Sequence, residues 1–223
     1  MTARLAVLAS GRGSNLQALL DAIASGGLDA QVVGVFSDRL AAHALERVPA
    51  ELRWSRDAKA YAQRSDFDAE LADAIDAVHP DWIVCAGYLR LLDAAFVQRF
   101  RGRLLNIHPS LLPAYRGLKT HARAIADGVA EHGASVHFVT PELDAGAVIA
   151  QAAVPVHAGD TPDALGERVL AVEHPLLVEV VRLAAAGRLA ERGDAAWLDG
   201  HRLLRPLRLE SAQLPVPPLP TPG

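Results

Sequence analysis

Cysteine is nearly absent from this chain: Cys85 is the single one among 223 residues. That excludes a disulfide framework and a cysteine-based zinc site together. Cys85 lies in the apolar run WIVCA and reads as a buried core thiol. Long hydrophobic runs are missing as well. Nothing approaches the roughly 18 apolar residues of a membrane span, and the first apolar run, residues 5–9, breaks at Gly11 and Arg12, too early for a signal peptide. Nor is there a block of one charge. With 22 basic and 26 acidic residues the net charge is -4, and no basic patch would steer the chain to a polyanion. These absences predict a cytoplasmic protein without nucleic-acid or membrane partners; small-molecule substrates, no metal, and a monomer or weak homodimer are the further expectations.

What is present is apolar material, 51% of residues, enough for one sizeable core. Short apolar runs alternate with helical periodicities, which predicts one α/β domain over residues 1–205, with an open, mostly parallel twisted sheet and helices on both faces. Strands are expected at residues 4–9, 31–36, 52–54, 81–86, 104–108, 134–140 and 148–156. Helices are expected from Leu16 to Ile23, around residues 41–47, over 66–78, near 120–127 and from Thr161 to Gly187, the last kinked or split at Pro175. A turn between two short strands is expected at residues 197–201. Residues 206–223 are proline-rich with little apolar periodicity and are expected to stay unfolded.

Two stretches carry chemistry. The first strand runs straight into SGRGSN, with Gly13, Ser14 and Asn15 opening the helix that follows. Ser14 and Asn15 suit an N-cap, glycine lets a ligand approach the backbone, and free amides at a helix start bind anions. A dinucleotide fingerprint needs glycine where Leu16 stands, and a P-loop needs Gly-Lys-Ser/Thr, so the loop reads as a cradle for one phosphate or as a merely structural turn.

The second is residues 104–121, LLNIHPSLLPAYRGLKTH. Alternation along a strand points Asn106 and His108 to one side, and Pro109 stops the strand just beyond them, at the end where open α/β sheets gather ligands. Ser110 shares their parity only if the strand continued through Pro109. Asp144, on the turn after the strand carrying His137, is either a solvated turn-former or a partner for His108. His137 is either a satisfied buried histidine or a neighbour that steadies the site. A histidine beside a carboxylate and an amide donor suits the attack of an amine on a carbonyl carbon, since both donors can hold the developing oxyanion. The loop at residues 87–92 either packs in the core or lines a pocket for a flat ring, and Arg64 by itself reads as a solvated charge.

The segments SGRGSNLQAL, AGYLRLL, LLNIHPSLLPAYRG, EHGASVHFVTPELDAG and AAWLDG together resemble the phosphoribosylglycinamide formyltransferases, over about residues 5–204. The resemblance implies a formyltransferase, Rossmann-like fold and transfer of the formyl group of 10-formyltetrahydrofolate to the amino group of 5-phosphoribosylglycinamide, in purine biosynthesis. It implies that His108 stabilises the oxyanion, that Asn106 holds the formyl oxygen, and that Asp144 favours the charged histidine and helps relay the proton. Gly13, Ser14 and Asn15 would then take the substrate phosphate, Glu173 the glycinamide, and Arg64 with Leu89, Arg90, Leu91 and Leu92 the folate. Leu170 stands near where some relatives place a charged contact. The rivals are methionyl-tRNA formyltransferases and formyltetrahydrofolate hydrolases, which carry an extra domain, and a nonenzymatic sensor or carrier of a phosphorylated ligand. A dehydrogenase is disfavoured by the missing third glycine.

Overall fold

The computed structural model describes residues 2–210 and 212–216. Strands β1 (Ala3–Leu8), β2 (Ala30–Ser37), β3 (Arg53–Ser55), β4 (Trp82–Cys85), β5 (Leu104–His108), β6 (Glu131–Phe138) and β7 (Val148–Pro155) are interleaved with helices α1 (Ser14–Ala24), α2 (Arg64–Ala77), α3 (Ala94–Arg99), α4 (Thr120–Ala126) and α5 (Pro162–Ala185). With β11 (Leu207–Arg208) they build one sheet in the order β11-β7-β6-β5-β4-β1-β2-β3. All neighbours are parallel except β6, which is antiparallel to both β5 and β7. Strands β8 (Leu189–Arg192), β9 (Ala195–Leu198) and β10 (His201–Arg202) form a small antiparallel sheet, with the expected turn at residues 199–200.

Strand alternation sorts the core into two layers. Leu5 and Val7 share one buried cluster with Leu16 and Leu19 of α1 and with the apolar face of α5. Ala6 and Leu8 belong to a second cluster with Phe67, Leu71 and Ile75 of α2 and Phe96 of α3. Each fully buried Leu or Phe side chain is worth about 1.5–3 kcal/mol. Both faces of the sheet are therefore covered, and β4, central and apolar throughout, needs no polar alternation. The strand order reverses between β1 and β4, and the crevice at such a switch point is where open α/β sheets bind ligands.

At several places the structure departs from the sequence expectations or sharpens them. Helix α3 was not anticipated: the Asp93 carboxylate accepts the Phe96 N–H at 2.7 Å and caps it, and Phe96 and Phe100 bury. The helix expected around residues 41–47 is present as a short 3-10 helix over residues 43–47. Helix α5 runs unsplit through Pro175, because Leu165 and Val169 before it and Leu176, Val180 and Leu183 after it all bury; that burial outweighs the roughly 3 kcal/mol cost of an internal proline. The tail expectation fails over the described residues 206–210 and 212–216. Leu207 and Arg208 pair in parallel with Ala150 and Gln151 of β7, Leu214 is buried, and its N–H donates to the Glu179 carboxylate at 3.2 Å. Residues 207–208 contain no proline, so they can cover what would otherwise be an open edge of β7. Residues 217–223 lie outside the described residues.

Candidate active site

Strand β5 decides where the chemistry stands. Leu105 and Ile107 belong to the α1/α5 layer and Leu104 to the α2/α3 layer, so alternation puts Asn106 and His108 on the latter side. The strand ends at His108, and the Ser110 hydroxyl turns away to donate to the Ala114 carbonyl at 2.7 Å. Ser110 is therefore a loop-former.

Asp144 reaches this point from the other side of a turn. Its backbone is left-handed, φ 47°, a conformation an aspartate tolerates better than most residues. A side chain on Gly146 would meet the Phe138 carbonyl at 1.8 Å, so only glycine lets the turn close against β6. One Asp144 oxygen, Oδ2, lies 3.4 Å from His108 Nδ1 and accepts the Gly117 N–H at 2.8 Å. His108 Nε2 donates to the Tyr115 carbonyl at 3.0 Å. Both ring nitrogens thus face acceptors, the arrangement an imidazolium satisfies. The expected union of Asn106, His108 and Asp144 is present, and it has a fourth member. His137, directly opposite Asn106 across β5 and β6, has Nε2 3.0 Å from Asn106 Nδ2 and 3.8 Å from Asp144 Oδ1. Burial pushes the His137 imidazole down to about 4, against the pull of the Asp144 carboxylate.

These groups open on a cavity of about 550 Å³, a size suited to a small-molecule ligand. Asn106, His108, His137 and Asp144 line it, as do Leu89, Arg90, Leu91 and Leu92. Leu89 and Leu91 stay 59% and 41% exposed on its rim, where they form an apolar lip. The Arg90 guanidinium is held 3.4 Å from the buried Asp68 carboxylate and over the Phe67 ring, so this arginine anchors its loop. Arg64 is the first residue of α2, exposed and outside the cavity lining; its carbonyl accepts from Arg90 Nη2 at 3.4 Å. Cys85, also on the lining, has its thiol pushed up to about 12 by burial. Leu118, His121, Thr140, Glu142 and Leu143 also line the cavity, though no site role was expected for them; the one hint in the sequence is their closeness to the segments carrying His108 and Asp144.

At the other end of the cavity Asn15 and Glu173 meet. Asn15 Nδ2 donates to Glu173 Oε2 at 3.2 Å, and burial raises the Glu173 carboxyl above the usual carboxylate range. The N-cap of α1 is Gly13, not Ser14 or Asn15: its φ of 73° is left-handed, and a side chain there would meet the Ala44 backbone at 2.7 Å. No side chain caps this helix and its first turn holds no acid. Its leading amides are left available to an anion. Among the described residues no group of three His, Cys, Asp or Glu could hold a metal, and no helix is long and apolar enough to cross a membrane.

Residues 3–181 match the formyl transferase family model. The chain is 49% identical over 201 residues to the phosphoribosylglycinamide formyltransferase of Escherichia coli (strain K12), covering 89% of this chain and 95% of that one. It is 40% identical to the trifunctional purine biosynthetic protein adenosine-3 of Bos taurus, over 88% of this chain and 20% of that protein. A solved phosphoribosylglycinamide formyltransferase from Coxiella burnetii superposes with a TM-score of 0.85 at 43% identity, covering 91% of this chain and 96% of that chain. This chain belongs to the formyl transferase family and, within it, to the phosphoribosylglycinamide formyltransferases.

Proposed function

We propose that the protein transfers the formyl group of 10-formyltetrahydrofolate to the amino group of 5-phosphoribosylglycinamide, a step of purine biosynthesis. The observation that carries the mechanism is the meeting of His108, Asn106 and Asp144 at one cavity wall, with the imidazole 3.4 Å from the carboxylate. The folate ring fits between the leucine-rich loop at residues 87–92 and the Asp144 turn, and the substrate phosphate fits the uncapped start of α1, with Glu173 between them.

The substrate amine attacks the formyl carbon directly, forming a C–N bond and placing charge on the formyl oxygen. Asn106 Nδ2–H and a His108 ring N–H donate to that oxygen; one such donor is typically worth about 3–4 kcal/mol. His108 Nε2–H is held here on the Tyr115 carbonyl, so residues 109–117 must yield that hydrogen bond as the oxyanion develops. Asp144 stabilises the imidazolium electrostatically and stands ready to accept the proton the amine loses. The bond from the formyl carbon to folate N10 then breaks, and N10 takes the proton, leaving tetrahydrofolate and the formylated amine. No acyl-enzyme is needed, since the Ser110 hydroxyl is committed to the Ala114 carbonyl.

Mixing purified protein with 10-formyltetrahydrofolate and phosphoribosylglycinamide and following tetrahydrofolate tests this. Release that requires the phosphoribosylglycinamide is expected. Equal release without it would make the protein a hydrolase, and none at all would leave a binding protein.

A further inference from the structure

Hydrogen-bond polarity at His137 fixes which end of the Asn106 amide faces the cavity. The His137 side chain is 2% exposed, and its Nδ1 lies 2.7 Å from the Phe138 carbonyl, which can only accept, so Nδ1 carries the proton. In the neutral ring Nε2 is then a bare acceptor, and it stands 3.0 Å from the Asn106 amide. If that amide were turned over, its carbonyl would face the Nε2 lone pair at hydrogen-bond distance inside the protein, two acceptors with no proton between them. With Nδ2 toward His137, one amide N–H is spent on the ring and the other is left for the cavity that Asn106 lines.

We propose that His137 is a positioning residue for formyl transfer: its Nε2 acceptor holds the Asn106 carboxamide so that an N–H, and not the carbonyl, meets the oxygen of the transferred group. The proposal rests on the reading of Asn106 as an oxyanion donor. The charged or titratable groups facing His137 are Asp144, with Oδ1 at 3.8 Å, and, at longer range, His108 and Arg116. Burial holds the ring neutral, helped by the two basic groups, against the pull of the Phe138 carbonyl and of Asp144. A charged His137 would carry a proton on Nε2 and would turn the Asn106 amide over. The neutral ring is therefore part of the device.

The native protein with nitrogen-15-labelled histidine gives the first test. A neutral His137 protonated on Nδ1, unchanged from pH 6 to 9, is expected; an Nε2-protonated or charged ring overturns the proposal. Kinetics give the second. His137→Gln brings an amide oxygen close to the position of Nε2 and should keep kcat within about tenfold, whereas His137→Leu should lose on the order of 10- to 100-fold in kcat with the donor KM little changed. Equal losses in the two variants, or a loss confined to KM, contradict it. In an Asn106→Ala background His137→Leu should cost nothing further, because the group it positions is gone; additive losses would mean it acts elsewhere. Should the leucine variant fail to fold, the tautomer measurement still decides. Absence of phosphoribosylglycinamide-dependent turnover in the parent protein would sink the proposed activity and not the amide orientation, which the labelled histidine reports alone.

Discussion

The two walls of the cavity are held by different means. On the loop at residues 87–92, the Leu89 N–H donates to Ser10 Oγ at 2.9 Å, and that hydroxyl donates to Asp38 at 2.6 Å. The buried Asp68 carboxylate takes the Asp93 N–H at 2.9 Å and holds Arg90. Facing it, residues 115–119 and the Asp144 turn are joined by the Gly117 N–H on Asp144 and by an exposed Arg116–Glu142 pair at 3.1 Å. Tyr115, Lys119 and Asp144 are all left-handed there, at φ 55°, 57° and 47°, which costs about 1–2 kcal/mol at the tyrosine and the lysine and less at the aspartate. One wall is anchored in the core, and the other spends backbone strain and surface contacts to bring a carboxylate to a histidine. The carboxylate to which the proposed mechanism gives the charge-stabilising role thus sits on the wall with fewer ties to the core.

Breaking the strained wall at its centre should have the largest effect. Asp144→Asn removes the charge facing His108 and should lower kcat by 100-fold or more, on the order seen for a lost charge-stabilising group, while donor affinity measured by titration changes little. A rate matching the parent across pH 6 to 9 would remove Asp144 from the mechanism. Breaking the anchored wall should cost stability instead. Asp68→Ala leaves the Asp93 N–H and Arg90 without their buried acceptor and should destabilise by about 2–3 kcal/mol, read from the denaturant midpoint, with a weaker effect on kcat than Asp144→Asn.

A pH titration sharpens the comparison, because His132, whose ring meets the Tyr115 ring edge-on at 5.7 Å, and His137, 3.8 Å from Asp144, both touch the strained wall, and burial pushes both down to about 4. Both are neutral in the fold, yet in the unfolded chain they take up protons near pH 6.5, so between those values the unfolded state binds more protons. Their contribution is complete above pH 6.5 and is lost as pH falls toward 4, which should lower Tm by roughly 5 °C or more. His132→Gln should flatten that slope; an equally steep profile would place the instability elsewhere. The smallest effect belongs to the surface pair. Arg116→Ala should change stability by under about 1 kcal/mol and lower kcat a few-fold by loosening Asp144. The exchange of Arg116→Glu with Glu142→Arg should recover most of that rate, and no recovery would show that the pair does not hold the turn.

The parts of the site legible in the sequence were those set by local geometry. Strand periodicity alone puts Asn106 and His108 side by side, and the glycine turn after the first strand marks the helix start that stays uncapped. The partners of those residues were not legible in the same way. Whether Asp144 was a turn-former, whether His137 was idle, and whether residues 87–92 lined a pocket all depend on contacts between segments 30 or more positions apart. At Pro175 local reading leaves a kink or a split open, and tertiary packing excludes the split; local reading failed where a lone edge needed a cover, as at β7.

The chain's own pattern of apolar residues and breakers determined the layering of the sheet, the two sides of β5 and the place where its polar pair emerges, because a side chain's direction along a strand or helix follows from backbone period. Tertiary structure alone decided which proton-bearing atom faces which acceptor. The antiparallel β5–β6 register sets His137 against Asn106, and the close approach of Gly146 to β6 swings Asp144 onto His108. Those pairings depend on distances of about an ångström between distant segments, and no periodicity in the sequence encodes a distance.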